Sequence, residues 1–199
     1  MQACLDGLHE AMFLKWLLQI SDEEEYARLL AHCPTYIKPI VGVAYRTGMR
    51  QGEILNLTWG KVDLKEGFIY LNPGDTKTQE SRDIPPSGEL IEIFQAMPRG
   101  LPEVRVFMRN GKPINSIREG FESACQKGEI KDFTFHDLRH TFVTNMRRAG
   151  VHDSVIMAIT GHKNPGTLMR YKTVSKEALK ASVEGKKSEN GQYLDSSPI

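Results

Sequence analysis

The chain has 199 residues, 40% hydrophobic and 26% charged, which is the composition of a water-soluble protein with one sizeable domain. It contains no apolar run of about 18 residues and no basic segment ahead of an apolar one, which argues against a membrane span and a signal peptide. The three cysteines (Cys4, Cys33 and Cys125) are scattered and match no ligand spacing, which favours a reducing compartment, the cytoplasm.

The net charge of +1 conceals an uneven distribution of charge along the chain. Residues 126–180 carry ten Lys or Arg against five Asp or Glu, whereas the remainder carries 16 against 20. A local basic excess of this kind can neutralise a polyanion such as nucleic acid. A solvated helical face has the same composition, so charge alone leaves both interpretations open.

Helical spacing of apolar residues governs most of the chain. Ser21 and Glu24 have the spacing of a capping box at a helix start, and Gly150 and Gly161 are typical of helix ends. Asn115 is interpreted as the cap of a later helix. Helices are predicted over residues 21–32, 36–46, 49–55, 87–97, 115–127, 136–150, 152–160, 164–171 and 175–183.

Strand-like alternation is strongest in residues 59–84, and residues 104–108 are interpreted as a short extended piece. Residues 59–71 alternate around a Lys65-Glu66-Gly67 turn, and residues 76–84 form a further predicted strand that Pro85-Pro86 ends. Single strands do not alternate with single helices, and no glycine-rich phosphate loop is present, which argues against a doubly wound nucleotide-binding fold. The predicted fold class is α+β, mainly α-helical, with a small antiparallel β-sheet near the N-terminal third.

The same patterns predict the domain organisation. Residues 1–20 are interpreted as a linker or leading segment, and residues 21–184 as one domain. Residues 185–199 are polar and are predicted to be a disordered tail.

Polar residues of catalytic type stand at the ends of these predicted elements. His136 and Arg139 are three residues apart and share a helix face. Tyr171 follows His162 by nine residues. The full set is Arg50, Glu53, Lys77, His136, Arg139, His162 and Tyr171.

This pattern resembles the catalytic domain of the tyrosine recombinases, the phage integrase family. The matching segments are Tyr45-Arg46-Thr47-Gly48-Met49-Arg50-Gln51-Gly52-Glu53-Ile54-Leu55, Thr76-Lys77-Thr78 ahead of Arg82-Asp83-Ile84-Pro85, His136-Asp137-Leu138-Arg139-His140-Thr141, Gly161-His162, and Tyr171. The resemblance covers residues 21–183. Each segment is a weak signal alone, but five in order at these spacings are specific.

The resemblance implies a tyrosine-recombinase catalytic-domain fold and the activity of a site-specific DNA recombinase or integrase. Such an enzyme cleaves and rejoins DNA strands through a covalent 3′-phosphotyrosyl intermediate, without metal, ATP or another cofactor. Tyr171 would be the nucleophile, and Arg50 and Arg139 would bind the phosphate. Guanidinium suits that task because it is a planar fork of donors that stays charged.

The resemblance also gives roles to the other residues. Lys77 would protonate the leaving 5′-oxygen, although Lys61 and Lys65 lie nearby. His136 would assist proton transfer and His162 would hydrogen-bond the phosphate. Glu53, one helical turn from Arg50, would orient the site.

The resemblance further implies the partners: double-stranded DNA, on which family members form a tetramer, with a monomer as the state of the chain alone. Family members carry an N-terminal DNA-binding domain that nothing in this sequence matches, so we expect weak DNA affinity. A bacterial or phage-derived origin, no membrane association and a cytoplasmic location are expected. Integration, excision, dimer resolution and transposition remain open.

Three other interpretations deserve a place. One is a catalytically silent DNA-binding module of the same fold, and another is a type IB topoisomerase, for which the chain is short. The third is a zinc hydrolase, because His136 and His140 have the spacing of a zinc pair on a helix, with His162 as a third ligand. Zinc would leave Lys77 and Tyr171 unexplained.

Overall fold

The computed structural model describes residues 23–76 and 79–163. The helices within that part are α1 (Glu23–His32), α2 (Lys38–Thr47), α3 (Gln51–Leu55), α4 (Gly88–Gln95), α5 (Arg118–Lys127), α6 (Asp137–Arg148) and α7 (Asp153–Thr160). The strands are β1 (Val62–Asp63), β2 (Phe68–Leu71), β3 (Arg82–Ile84), β4 (Met108–Arg109) and β5 (Lys112–Pro113). The predictions for residues 1–20, 164–171, 175–183 and 185–199 lie outside the described residues.

Strands β1, β2 and β3 form one antiparallel sheet, in that order. Ile69 on the central strand lies opposite Val62 on one side and Ile84 on the other, and all three are buried. The predicted small antiparallel sheet is therefore confirmed.

The third strand is shorter than the predicted 76–84. The Thr76 hydroxyl accepts a hydrogen bond from the Glu80 backbone N–H (3.1 Å) and donates to the Glu80 carbonyl (3.0 Å). A side chain that occupies both backbone groups of a residue keeps that residue out of a strand ladder. The strand consequently begins only at Arg82.

A second, two-stranded hairpin of β4 and β5 was not predicted. Asn110 and Gly111 join the strands with φ values of 53° and 74°. Two successive positive φ values define the type I′ turn that favours tight hairpins. The Asn-Gly pair was the available signal, but each flanking strand has only two residues.

The predicted cap at Asn115 is wrong. Helix α5 begins after Ile117, which is buried, and Asn115 lies outside it. The Asn115 side chain instead accepts a hydrogen bond from Arg105 Nη1 at 2.9 Å. Burial of Ile117 and the contact with Arg105 thus outweigh the local capping preference.

The apolar core has two parts. The main cluster joins α1 to α5, the sheet and the start of α6, where Leu138 is fully buried. A smaller cluster of Phe142, Val143 and Ile156 lies between α6 and α7. Each fully buried Leu, Val, Ile or Phe side chain contributes about 1.5–3 kcal/mol to the stability of the fold. Helix α6 therefore belongs to both clusters, with its N-terminal turn in the larger one.

None of the helices within residues 23–163 combines the length and the apolar character needed to cross a membrane.

Candidate active site

Arg139 lies in the first turn of α6 and is 2% exposed. Its Nη1 donates a hydrogen bond to the carbonyl of Gly48 at 2.7 Å. Gly48 ends α2 with a φ of 63°, and a Cβ there would come within 2.6 Å of Phe142 Cδ1. Only glycine satisfies both constraints, so the end of α2 holds the Arg139 side chain in place.

Arg50 immediately precedes α3, and Glu53 lies in the first turn of that helix. The Arg50 backbone N–H donates to Glu53 Oε2 at 2.8 Å, and Arg50 Nη1 donates to Oε1 at 2.9 Å. Glu53 thus caps the helix start and fixes the guanidinium at the same time. Glu53 thus orients the Arg50 side chain, and its predicted role in a catalytic site stays a prediction.

Arg82, on β3, is a site residue that the sequence analysis missed. Its Nη2 donates to Glu53 and its Nη1 donates to the carbonyl of Thr160 at 2.5 Å. Its Nε is buried without a hydrogen-bond partner among the described residues. Burial lowers the pKa of Arg82 against the opposing effect of Glu53, but an arginine remains charged. The available signal was strand alternation, which places Arg82 on the same face as the buried Ile84.

His162 follows the left-handed Gly161 that ends α7, where φ is 70°. Its Nδ1 lies 2.7 Å from Thr160 Oγ1. Arg139 Nη2 lies 3.3 Å from Nδ1 and 3.1 Å from Nε2. A donor equally close to both nitrogens lies over the ring, because the Cε1–H blocks the approach in the ring plane. Arg139 Nη2 therefore lies over the face of the imidazole ring.

Burial lowers the pKa of His162 to about 3, and the charges of Arg139 and then Arg50 add to that effect. The imidazole is consequently neutral at physiological pH.

His136 occupies the position just before α6, and its ring meets that of His140 edge-on, with centroids 4.8 Å apart. The residue is exposed as a whole, yet desolvation of the ring lowers its pKa, and the Arg139 charge lowers it further. Asp137 fixes the helix start by accepting hydrogen bonds from the Thr134 backbone N–H (2.8 Å) and hydroxyl (2.6 Å).

A cavity of about 410 Å³ lies between β3 and α7 beside these groups. Its walls include Arg82, Gly161 and His162. Five of the predicted residues are thus described and lie around one place: Arg50, Glu53, His136, Arg139 and His162.

The phage integrase family matches this sequence over residues 19–178. The chain belongs to the phage integrase family. It is 33% identical over 159 residues to the shufflon-specific DNA recombinase of Escherichia coli, covering 77% of this chain and 39% of that protein. It is 29% identical over 173 residues to the tyrosine recombinase XerA of Pyrococcus furiosus, covering 81% and 59%. The chain therefore spans 39–59% of the length of these two curated relatives.

Solved structures agree with this assignment. The catalytic domain of bacteriophage HP1 integrase is 28% identical, with a TM-score of 0.63, and the match covers 88% of this chain and 99% of that one. The Tn1549 transposon integrase, solved with circular intermediate DNA, gives a TM-score of 0.68 at 22% identity over 82% of this chain and 66% of that one. The predicted fold, that of a tyrosine recombinase catalytic domain, is confirmed.

Two predicted site residues of this integrase-family domain, Lys77 and Tyr171, lie outside the described residues. The residues that flank Lys77 are informative. Thr76 and Glu80 bond to each other, and the Glu80 carboxylate lies 3.1 Å from Lys163 Nζ. The chain on the far side of Lys77 thus contacts the residue after His162.

The zinc alternative gains no support from the geometry of the integrase-family site. Within residues 23–76 and 79–163, no three His, Cys, Asp or Glu side chains are grouped as ligands of one metal ion. Cys33 and Cys125 are buried thiols whose pKa values burial raises to about 11. Both are therefore protonated thiols at physiological pH.

Proposed function

We propose that this protein is a site-specific DNA recombinase that cleaves and rejoins duplex DNA through a covalent 3′-phosphotyrosyl intermediate. The observation that carries the proposal is the convergence of two arginines on one turn. Arg50 Nη2 makes a long 3.5 Å contact with the Gly161 carbonyl, and Arg139 Nη2 lies 3.3 and 3.1 Å from the ring nitrogens of His162. Two fixed guanidiniums at one place suit a phosphodiester better than any neutral substrate.

The proposed reaction is a transesterification at phosphorus. The Tyr171 oxygen bonds to phosphorus, the bond to the 5′-oxygen breaks, and the phosphotyrosyl bond conserves the energy for rejoining. Negative charge grows on the nonbridging oxygens, where Arg50 and Arg139 stabilise it. Removing one preorganised donor of this kind costs about 10²–10³ in rate.

Protons move at both ends of the reaction. The phenol of Tyr171, with an ordinary pKa of about 10, needs an acceptor for its proton. His136 supports that role because desolvation lowers its pKa, which keeps the ring neutral. Lys77 donates a proton to the leaving 5′-oxygen.

Duplex DNA is the proposed partner, with a tetramer as the proposed active assembly and the cytoplasm as its location. The structural neighbour from Tn1549 was solved with DNA, and residues 126–180 carry the basic excess. Not every basic residue in that stretch is suited to phosphate contacts. Arg147 makes two bonds to Asp153, of 2.8 and 2.7 Å, and its side chain is only 14% exposed.

A covalent trap tests the proposal. The protein is incubated with a pool of nicked duplexes from the DNA that flanks its gene, and a denaturing gel reveals protein joined to DNA. We expect a shifted band that Tyr171→Phe abolishes and the matched control Tyr70→Phe retains, since Tyr70 lies on β2 and does not line the cavity. A band that survives in Tyr171→Phe would exclude Tyr171 as the nucleophile. A protein that binds DNA but never becomes covalently joined to it would be the catalytically silent module.

The role of Lys77 has its own test. A substrate with sulfur at the 5′-bridging position has a leaving group that needs little protonation. It should restore cleavage to Lys77→Ala but not to Arg139→Ala. Equal failure of both variants would remove Lys77 from the proton-donor role, and rescue of Lys61→Ala instead would reassign it.

A further inference from the structure

Thr160, the last residue of α7, is completely buried next to the proposed phosphate site. Its Oγ1 lies 2.6 Å from the carbonyl oxygen of Ile156 and 2.7 Å from Nδ1 of His162. The left-handed turn at Gly161 brings His162 back over the hydroxyl that precedes it. The backbone carbonyl of Thr160 also accepts a hydrogen bond from Arg82, so Thr160 is fixed at both its carbonyl and its hydroxyl.

The positions of the protons follow from counting donors. A carbonyl oxygen only accepts, so the short contact with Ile156 requires the single hydroxyl proton of Thr160. The contact with His162 then has to be made by a proton on Nδ1, which Thr160 Oγ1 accepts. In a neutral imidazole the other nitrogen, Nε2, carries the lone pair.

The surroundings of His162 favour that neutral ring. Arg139 Nη2 from α6 lies over the ring, and Arg50, His140 and Arg82 are close enough to act on it electrostatically. Burial lowers the pKa of His162, and the charges of Arg139 and Arg50 lower it further. The chain of hydrogen bonds from Nδ1–H through the Thr160 hydroxyl to the Ile156 carbonyl polarises in one direction, which strengthens each bond.

We propose that Thr160 is a positioning residue that holds His162 as the Nδ1–H tautomer and so makes Nε2 a hydrogen-bond acceptor in the site. The catalytic consequence rests on the proposed function. A neutral His162 of this tautomer can only accept a hydrogen bond at Nε2. It donates to a phosphate oxygen only after taking up a second proton.

Nuclear magnetic resonance tests the tautomer without reference to activity. Long-range ¹H–¹⁵N correlation of the full-length, ¹⁵N-labelled protein at pH 7 distinguishes the two tautomers by their nitrogen shifts, and His162→Asn identifies the signals. We expect Nδ1–H in the parent and in Thr160→Ser, which keeps the hydroxyl. Thr160→Val should convert His162 largely to Nε2–H. An Nε2–H parent, or a Thr160→Val spectrum like the parent's, would overturn the proposal.

Cleavage rates test the consequence. In the covalent trap under single-turnover conditions, Thr160→Val should be about tenfold slower or more, with DNA affinity unchanged and Thr160→Ser close to the parent. A tautomer switch with an unchanged rate would refute the catalytic role of Thr160. Absence of linkage in the parent would refute the recombinase proposal and leave the tautomer assignment to be decided by the spectra alone.

Discussion

Two networks of arginine and carboxylate are centred on either side of the end of α2, one on Arg46 and the other on Arg50. They have opposite ratios of cations to anions. The surface network has one cation between two anions, since Arg46 pairs with Glu23 at 3.5 Å and Glu89 at 2.5 Å. The buried network, made of Arg50, Glu53 and Arg82, has one anion between two cations.

Burial separates the two networks as clearly as stoichiometry does. The side chains of Glu23 and Glu89 are 70% and 64% exposed, whereas those of Glu53 and Arg82 are 3% and 5% exposed. Water screens the first network, so it contributes little to stability. The second network holds a net positive charge where solvent is largely excluded. Such a charge destabilises the protein alone and favours the binding of an anion.

The largest expected effect is the loss of the shared carboxylate. Glu53→Gln leaves two guanidiniums facing each other, one of them buried, and should lower the free energy of unfolding by about 3–5 kcal/mol in urea denaturation. The control is Glu89→Gln, which removes a carboxylate from the surface network. Equal losses in the two variants would erase the distinction between the networks.

Gly161→Ala tests how firmly Arg82 is held. A Cβ at Gly161 would lie 2.1 Å from Arg82 Nη1, at a φ of 70°. Gly67 has nearly the same φ, 71°, with nothing within 4 Å of an added Cβ, so Gly67→Ala reports the conformational cost alone. Gly161→Ala should cost about 2 kcal/mol more in urea unfolding, because Arg82 loses its bond to Thr160. Matching costs would mean that Arg82 moves freely.

The pH dependence of stability reports the burial of His162 and the positive charges around it. Its pKa is lowered from 6.5 to about 3 in the folded protein. Between those values the unfolded chain binds a proton that the folded chain does not, so stability falls as the pH falls below 6.5. From pH 7.5 to 5.5, the parent should lose about 1.4 kcal/mol more than His162→Asn, by urea unfolding at each pH. A smaller loss of stability in the parent than in His162→Asn would mean that the pKa of His162 is raised, which would refute the prediction.

The smallest effect belongs to the surface network. Glu89→Gln should change the free energy of unfolding by about 0–1 kcal/mol, and high salt should abolish the difference because it screens exposed charges. Urea titrations at low and high salt provide the measurement. A larger effect that persists in high salt would show that Arg46 depends on Glu89 for its stacking over Tyr26 and Tyr45, whose centroids lie 5.7 and 5.2 Å from its guanidinium carbon.

The sequence predicted the parts of the site that depend on short spacings. Glu53 with Arg50 and the helix end at Gly161 are local patterns, and the structure has both. The fold class followed from helical periodicity and one stretch of alternation, which are also local.

Of the two features that were missed, one depends on contacts between distant segments and the other on a local backbone turn. Arg82 looked like a marker near Lys77, and only its bonds to Glu53 and Thr160 reveal its position in the site. Thr160 looked like an ordinary helix residue before a glycine, and its hydroxyl gains meaning only from the fold of His162 over it. Strand alternation predicts a buried face for Arg82 but not its partners, and the Thr160 contact depends on the left-handed turn at Gly161.

The separations across the site bear on the order in which the molecule assembles. Arg82 and Thr160 are 78 residues apart, Gly48 and Arg139 are 91 apart, and Arg50 and Gly161 are 111 apart. Closing loops of that length is entropically costly until the flanking helices pack. During synthesis, α1 to α5 emerge first, and Glu53 and its arginines stay hydrated until α7 arrives. We expect docking of α7 to exclude water from this network and to bring Gly161 and His162 to the two arginines late in folding.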